Sequence, residues 1–86
     1  MRVRIPGPLR SYTDDAGEVD ARGATLGELL DDLDRQHPGI RFRIVDEQGD
    51  IRRHIKFFID AALAPDLDVA LAGRREVMIV CALSGG

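Results

Sequence analysis

Between Thr25 and Pro38 the leucines Leu26, Leu29, Leu30 and Leu33 recur at i, i+3, i+4 and i+7, which places them on one face of a helix. Thr25 stands three residues before Glu28, the spacing of a capping box in which each side chain bonds the other's free backbone N–H. Pro38 and Gly39 supply the stop. Asp31, Asp32, Asp34 and Arg35 fall opposite the leucines, so they are expected to form a solvated face rather than a working carboxylate pair. Elsewhere the period is two. "MRVRI" alternates Val3 and Ile5 with Arg2 and Arg4, a half-buried strand halted by Pro6, Gly7 and Pro8. "SYTDDAG" reads as a turn-rich loop and "EVDA" as a short second strand in a hairpin with the first. "IKFFID" sets Ile55, Phe57 and Ile59 on one face of a strand, and "EVMIVCAL" is apolar on both faces, as suits a strand in mid-sheet.

Two stretches are less regular. In "IRFRIVDEQGDIRRH", Ile40, Phe42 and Ile44 alternate with arginines, a pattern that fits either a strand or a short helical turn before a hairpin around Gly49. "ALAPDLDVALAG" is expected to be irregular, with one helical turn near Leu67. The order strand, strand, helix, strands, with the last strand most apolar, predicts an α+β fold with one main helix packed on a mixed sheet. The first and last strands are then parallel neighbours at its centre, the β-grasp arrangement of ubiquitin. This divides the chain into a folded domain over 1–82 and a projecting C-terminal tail over 83–86.

Composition narrows the function. With 86 residues the chain is a single domain, and 44% hydrophobic and 31% charged residues are ordinary globular values. A net charge of −3, with basic and acidic residues interspersed, argues against a nucleic-acid binder, which needs a basic stripe. Only Lys56 among the twelve basic residues is lysine, which we read as codon usage. A single cysteine, Cys81, excludes an internal disulfide. The N-terminal residues include no apolar stretch suited to a signal peptide or a membrane span, so the expected location is cytoplasmic, without membrane attachment.

Few residues offer chemistry. His37 and His54 lie far apart without metal-ligand spacing, so no metal site is expected; His37, at the helix end, is expected to serve the free carbonyls there. Cys81 falls in the strand predicted to be most buried, where a thiol behaves as a small hydrophobe. The glycines of "PGPLR" and "ARGATLG" lack the spacing of a phosphate-cradling loop. There remains the ending "CALSGG". Two residues without Cβ atoms are slender enough to enter a narrow channel and bring a carboxylate to another protein's catalytic groups. A carboxylate is inert until activated, for example as an acyl-adenylate.

The sequence resembles the ubiquitin-like sulfur carriers of the ThiS/MoaD group over essentially its full length. The resemblance is carried by "IPGPLR", "GATLGELLDDLDRQHPGIR", "DEQGDIRRHIKFFID" and "EVMIVCALSGG", and the long third of these looks most like the cysteine-biosynthesis type of carrier. It implies that a ubiquitin-activating-type enzyme uses ATP to adenylate the carboxylate of Gly86, and that sulfur from a donor protein or sulfide then displaces AMP. The resulting thiocarboxylate would feed a sulfur-accepting enzyme making cysteine, molybdopterin, thiazole or a secondary metabolite. Gly85, Ser84 and Leu83 would thread into the partner, the carrier would be a monomer and a cosubstrate rather than an enzyme, and it would hold no permanent cofactor. The partner surface is expected on the sheet face near the tail. Two positions depart from the family pattern: Asp60-Ala61-Ala62 stands where Asn-Gly is common, and Gly73-Arg74-Arg75 where acidic residues are usual. Two other readings stay open, a modifier joined through Gly86 to target lysines and a plain β-grasp interaction module.

Overall fold

The structure, a computed structural model, describes residues 1–82. Its elements are β1 (Arg2–Arg4), a 3-10 helix (Gly7–Thr13), β2 (Glu18–Asp20), α1 (Leu26–Gln36), α2 (Ile40–Ile44), β3 (Ile55–Ile59), β4 (Ala62–Leu63) and β5 (Glu76–Cys81). The strands form one mixed sheet in the order β2-β1-β5-β3-β4. β1 and β5 run parallel at its centre, with Val3 opposite Val77, and the remaining pairs are antiparallel. This is the expected β-grasp fold.

The helix packs where its leucines point. Leu26, Leu29, Leu30 and Leu33 are completely buried, against a sheet face that presents Val3, Phe57, Val77 and Ile79. The Glu28 N–H donates to Thr25 Oγ1 at 3.2 Å, one half of the predicted box, but the Glu28 carboxylate accepts from Ala24 N–H rather than that of Thr25. The other two leading N–H groups are capped from a distance: Leu26 donates to the Val69 carbonyl at 3.0 Å and Gly27 to that of Leu67 at 2.9 Å. The irregular segment before β5 is therefore the cap of α1, and Leu67 lies in a turn there rather than in a helical turn.

Three further expectations are corrected. Ser11–Thr13 continue a 3-10 helix instead of beginning a loop. Pro8 stands at its start, where a missing N–H does no harm, and the Thr13 hydroxyl ties its end to the Arg10 and Ala16 carbonyls. β5 is buried on one face only: Val77 and Ile79 are in the core while Met78 and Val80 are half-buried on the other side. An apolar strand does not need cover on both faces if its second face is reserved for something else. Finally, Asp32 and Asp34 are structural ties rather than a merely solvated face. Asp32 accepts from Arg22 N–H at 2.9 Å and from the Arg35 and Gln36 side chains, and Asp34 accepts from Gly39 and Arg41 N–H at the start of α2.

The ambiguous stretch after α1 is helical. Ile40 and Ile44, one turn apart, are both buried, which leaves Phe42 between them pointing outward and 56% exposed. The hairpin follows, closed by the Val45–Ile51 bridge, with Gly49 at a positive φ of 84°.

Candidate functional site

The face of the sheet opposite the helix is built by register. Because Val77 and Ile79 point into the core, Met78 and Val80 point away from it, and residues paired with them share that face. Met78 is paired with Phe58 on one side and Arg4 on the other; Phe58 in turn faces Leu63, and Val80 faces Lys56. The result is an apolar stripe of Leu63, Phe58, Met78 and Val80, in which Leu63 is 57% exposed. Arg2 and Arg4 flank it, both in ion pairs with Glu76, at 3.5 and 3.1 Å. Exposed pairs of this kind set orientation and specificity more than affinity. The stripe lies on the outer sheet face, and its residues are set by the strand register rather than by any local sequence pattern.

β5 carries the chain along the stripe to Cys81 and Ala82, and Ala82 N–H donates to the His54 carbonyl at 2.7 Å. Leu83, Ser84, Gly85 and Gly86, the predicted site residues, lie outside the described residues. Cys81 is half-buried, and burial pushes its thiol above the usual range, away from the thiolate form a nucleophile needs. His37 caps α1 through its backbone, donating to Leu33 O at 2.8 Å and accepting from Ile40 N–H. Among the described residues no three His, Cys, Asp or Glu side chains gather as a metal would require. Nor is any helix among them long and apolar enough to cross a membrane.

The two departures from the family pattern meet in space. Asp60 and Ala61 form a tight turn at φ 48° and 72°, and the Asp60 carboxylate accepts the N–H groups of Arg75 and Glu76, with its nearer oxygen at 3.1 and 3.0 Å. The turn after β3 is thereby tied to the start of β5. One further group escaped the sequence reading. Beside the end of β5 lies a surface cavity of about 560 Å³, between the 3-10 helix, α2 and the segment before β3. Tyr12, Phe42, Arg43, Arg52, His54 and Cys81 line it. The aromatic–arginine alternation of "RFR" was the available signal, but only the helical turn shows which residues it brings together.

The family model described as the ThiS family matches residues 3–86. The sulfur carrier protein CysO of Mycobacterium tuberculosis is 33% identical over 91 aligned positions, covering 100% of this chain and 98% of that protein. Among solved structures, the Amycolatopsis orientalis BexX/CysO complex contains a chain that superposes with a TM-score of 0.88 at 31% identity, covering 99% of this chain and 98% of that one. SAMP1 from Haloferax volcanii superposes with a TM-score of 0.75 at 26% identity, covering 99% and 97%. With its full fold and nearly its whole length matched, the chain belongs to the ThiS family.

Proposed function

We propose that this protein is a sulfur carrier whose reactive group is the carboxylate of Gly86. The observation that carries the reading is the family match running through Gly86, immediately beyond a central strand whose outer face presents an apolar stripe. The similarity to proteins named sulfur carrier protein CysO supports the same role. A ubiquitin-activating-type enzyme docks on Leu63, Phe58, Met78 and Val80 and receives Leu83, Ser84, Gly85 and Gly86 in its active site. The Gly86 carboxylate attacks the α-phosphorus of ATP, pyrophosphate leaves, and an acyl-adenylate forms. Sulfide then attacks the acyl carbon and expels AMP. Where a donor protein's persulfide attacks instead, a thiol cleaves the resulting acyl disulfide, releasing the thiocarboxylate and leaving the donor as a mixed disulfide. The thiocarboxylate so formed is delivered to an accepting enzyme, with cysteine biosynthesis the favoured destination. The carrier supplies no catalytic group; its contribution is a docking surface and a slender end.

A second reading, a modifier joined to lysines through Gly86, draws support from the likeness to SAMP1. Intact mass after incubation with the activating enzyme, ATP and sulfide separates the two. An oxygen-to-sulfur mass change that is lost on deleting Gly86 is the expected result. Lysine-linked adducts in its place would establish the modifier, and an unchanged mass with a demonstrably active enzyme would overturn both.

A further inference from the structure

The cavity beside the end of β5 has a composition at odds with the rest of the molecule. The chain carries a net charge of −3, yet two arginines line this cavity against one carboxylate, Glu47. Each guanidinium is held by its Nε end and set near an aromatic ring. Arg52 Nε donates to the Phe42 carbonyl at 2.8 Å and its guanidinium carbon lies 4.8 Å from the Phe42 ring centroid. Arg43 Nε donates to the Tyr12 hydroxyl at 2.6 Å, and its guanidinium carbon lies 6.0 Å from that ring's centroid. Among the described residues neither arginine is in an ion pair with a carboxylate, Glu47 included. Fixing the Nε edge of a planar guanidinium leaves its outer N–H pair preorganised for an oxyanion, and carboxylates suit that fork. Cys81, the last residue of β5, lines the same cavity. From Cys81 to Gly86 is five residues, a reach of at most roughly 17 Å, so a carboxylate borne by Gly86 would fall within range of the cavity.

We propose that this cavity is a carboxylate site, formed by Arg43 and Arg52, that holds the Gly86 carboxylate when no partner is engaged. The inference rests on the reading that Gly86 bears a free carboxylate, and it is independent of whether that group is ever adenylated. A thiocarboxylate is also an anion and fits the same fork, so the site shelters the loaded sulfur as well as the unloaded end. A partner that takes the end must compete with the two arginines.

The test uses the full chain, with its mass first confirming that it ends at Gly86, and with ¹³C in the Gly86 carboxyl. An α-carboxyl ordinarily titrates at about 3.3–3.7. Held by the arginine pair at a solvent-open site, that of Gly86 is expected to titrate roughly half a unit lower, and to return to the ordinary value in Arg43→Gln/Arg52→Gln. The Nε–H signals of Arg43 and Arg52 should also differ between the chain and its Gly86 amide, a comparison that cancels the contributions of Glu47, His54, Tyr12 and Cys81. An ordinary Gly86 value that the double variant leaves unchanged overturns the proposal. So does a result in which the acid and amide forms give the same arginine signals while millimolar N-acetyl-glycylglycine shifts them, because the site then serves a partner's carboxylate. A chain that is never adenylated but passes these tests loses the carrier reading and keeps this one.

Discussion

Ala61 occupies a backbone conformation that suits glycine. Its φ of 72° follows Asp60 at 48°, the double left-handed turn in which Asn-Gly is favoured because a Cβ crowds the backbone there. Ala61→Gly is therefore expected to stabilise the fold by about 1 kcal/mol, read as a higher urea midpoint at unchanged slope. No gain would mean that the lower chain entropy of alanine in the unfolded state offsets the strain. Asp32 makes a prediction about acid. The Arg35 guanidinium, and after it the Arg22 N–H, hold its carboxyl below the usual range. A lowered folded value contributes stability above the ordinary carboxylate range, and that stability is lost as the pH falls through it. Asp32→Asn should thus flatten the fall in stability between about pH 5 and pH 2, and an equally steep acid limb would contradict it. The leucines of α1 showed these positions to lie opposite the core, but no local pattern shows that Asp32 reaches back to Arg22 or Asp34 forward to Gly39.

At the scale of elements, α1 was legible because its signals are local. The leucine period, Thr25 before Glu28 and Pro38-Gly39 after it act within a few residues of one another. Leu30 is completely buried among those leucines, and Leu30→Ala should cost about 3 kcal/mol of unfolding free energy by leaving a cavity against the sheet. A loss under about 1 kcal/mol would show that the sheet collapses onto the gap. α2 was ambiguous for a physical reason. In five residues, Ile-Arg-Phe-Arg-Ile satisfies period two and also places Ile40 and Ile44 one helical turn apart. Docking decided it, since the helix buries both isoleucines and frees Phe42. The short strand β4 and the capping loop before β5 carried no signal of their own, because their role is to bond backbone groups of β3 and α1.

The whole molecule divides its apolar surface between a core and an open stripe on the outer face of the sheet. Phe58 belongs to the stripe, between Met78 and Leu63, and its partial exposure makes it a contact the fold can spare. Phe58→Asp is expected to slow thiocarboxylate formation about tenfold or more at a fixed amount of activating enzyme. Its circular dichroism and its melting should stay close to those of the parent. An unchanged rate would move the docking surface elsewhere, and a chain that unfolds would make Phe58 part of the core. The rate should also respond to ionic strength, since Arg2, Arg4 and Glu76 rim the stripe and exposed charges act on association through a screened field.

By itself the sequence determined the order of the main strands and of α1, the face of α1 that is buried, and the parallel pairing expected of β1 and β5. Each of these follows from residue spacing or from resemblance to a family. Tertiary structure alone decided that β5 keeps one apolar face open, that Asp60 ties its turn to the start of β5, and that Arg43 and Arg52 flank a cavity beside Cys81. Hydrophobicity in a strand records that a residue prefers to leave water. Whether it leaves for the core or for a partner depends on which face the sheet turns toward the helix, and that is fixed only when every strand has paired.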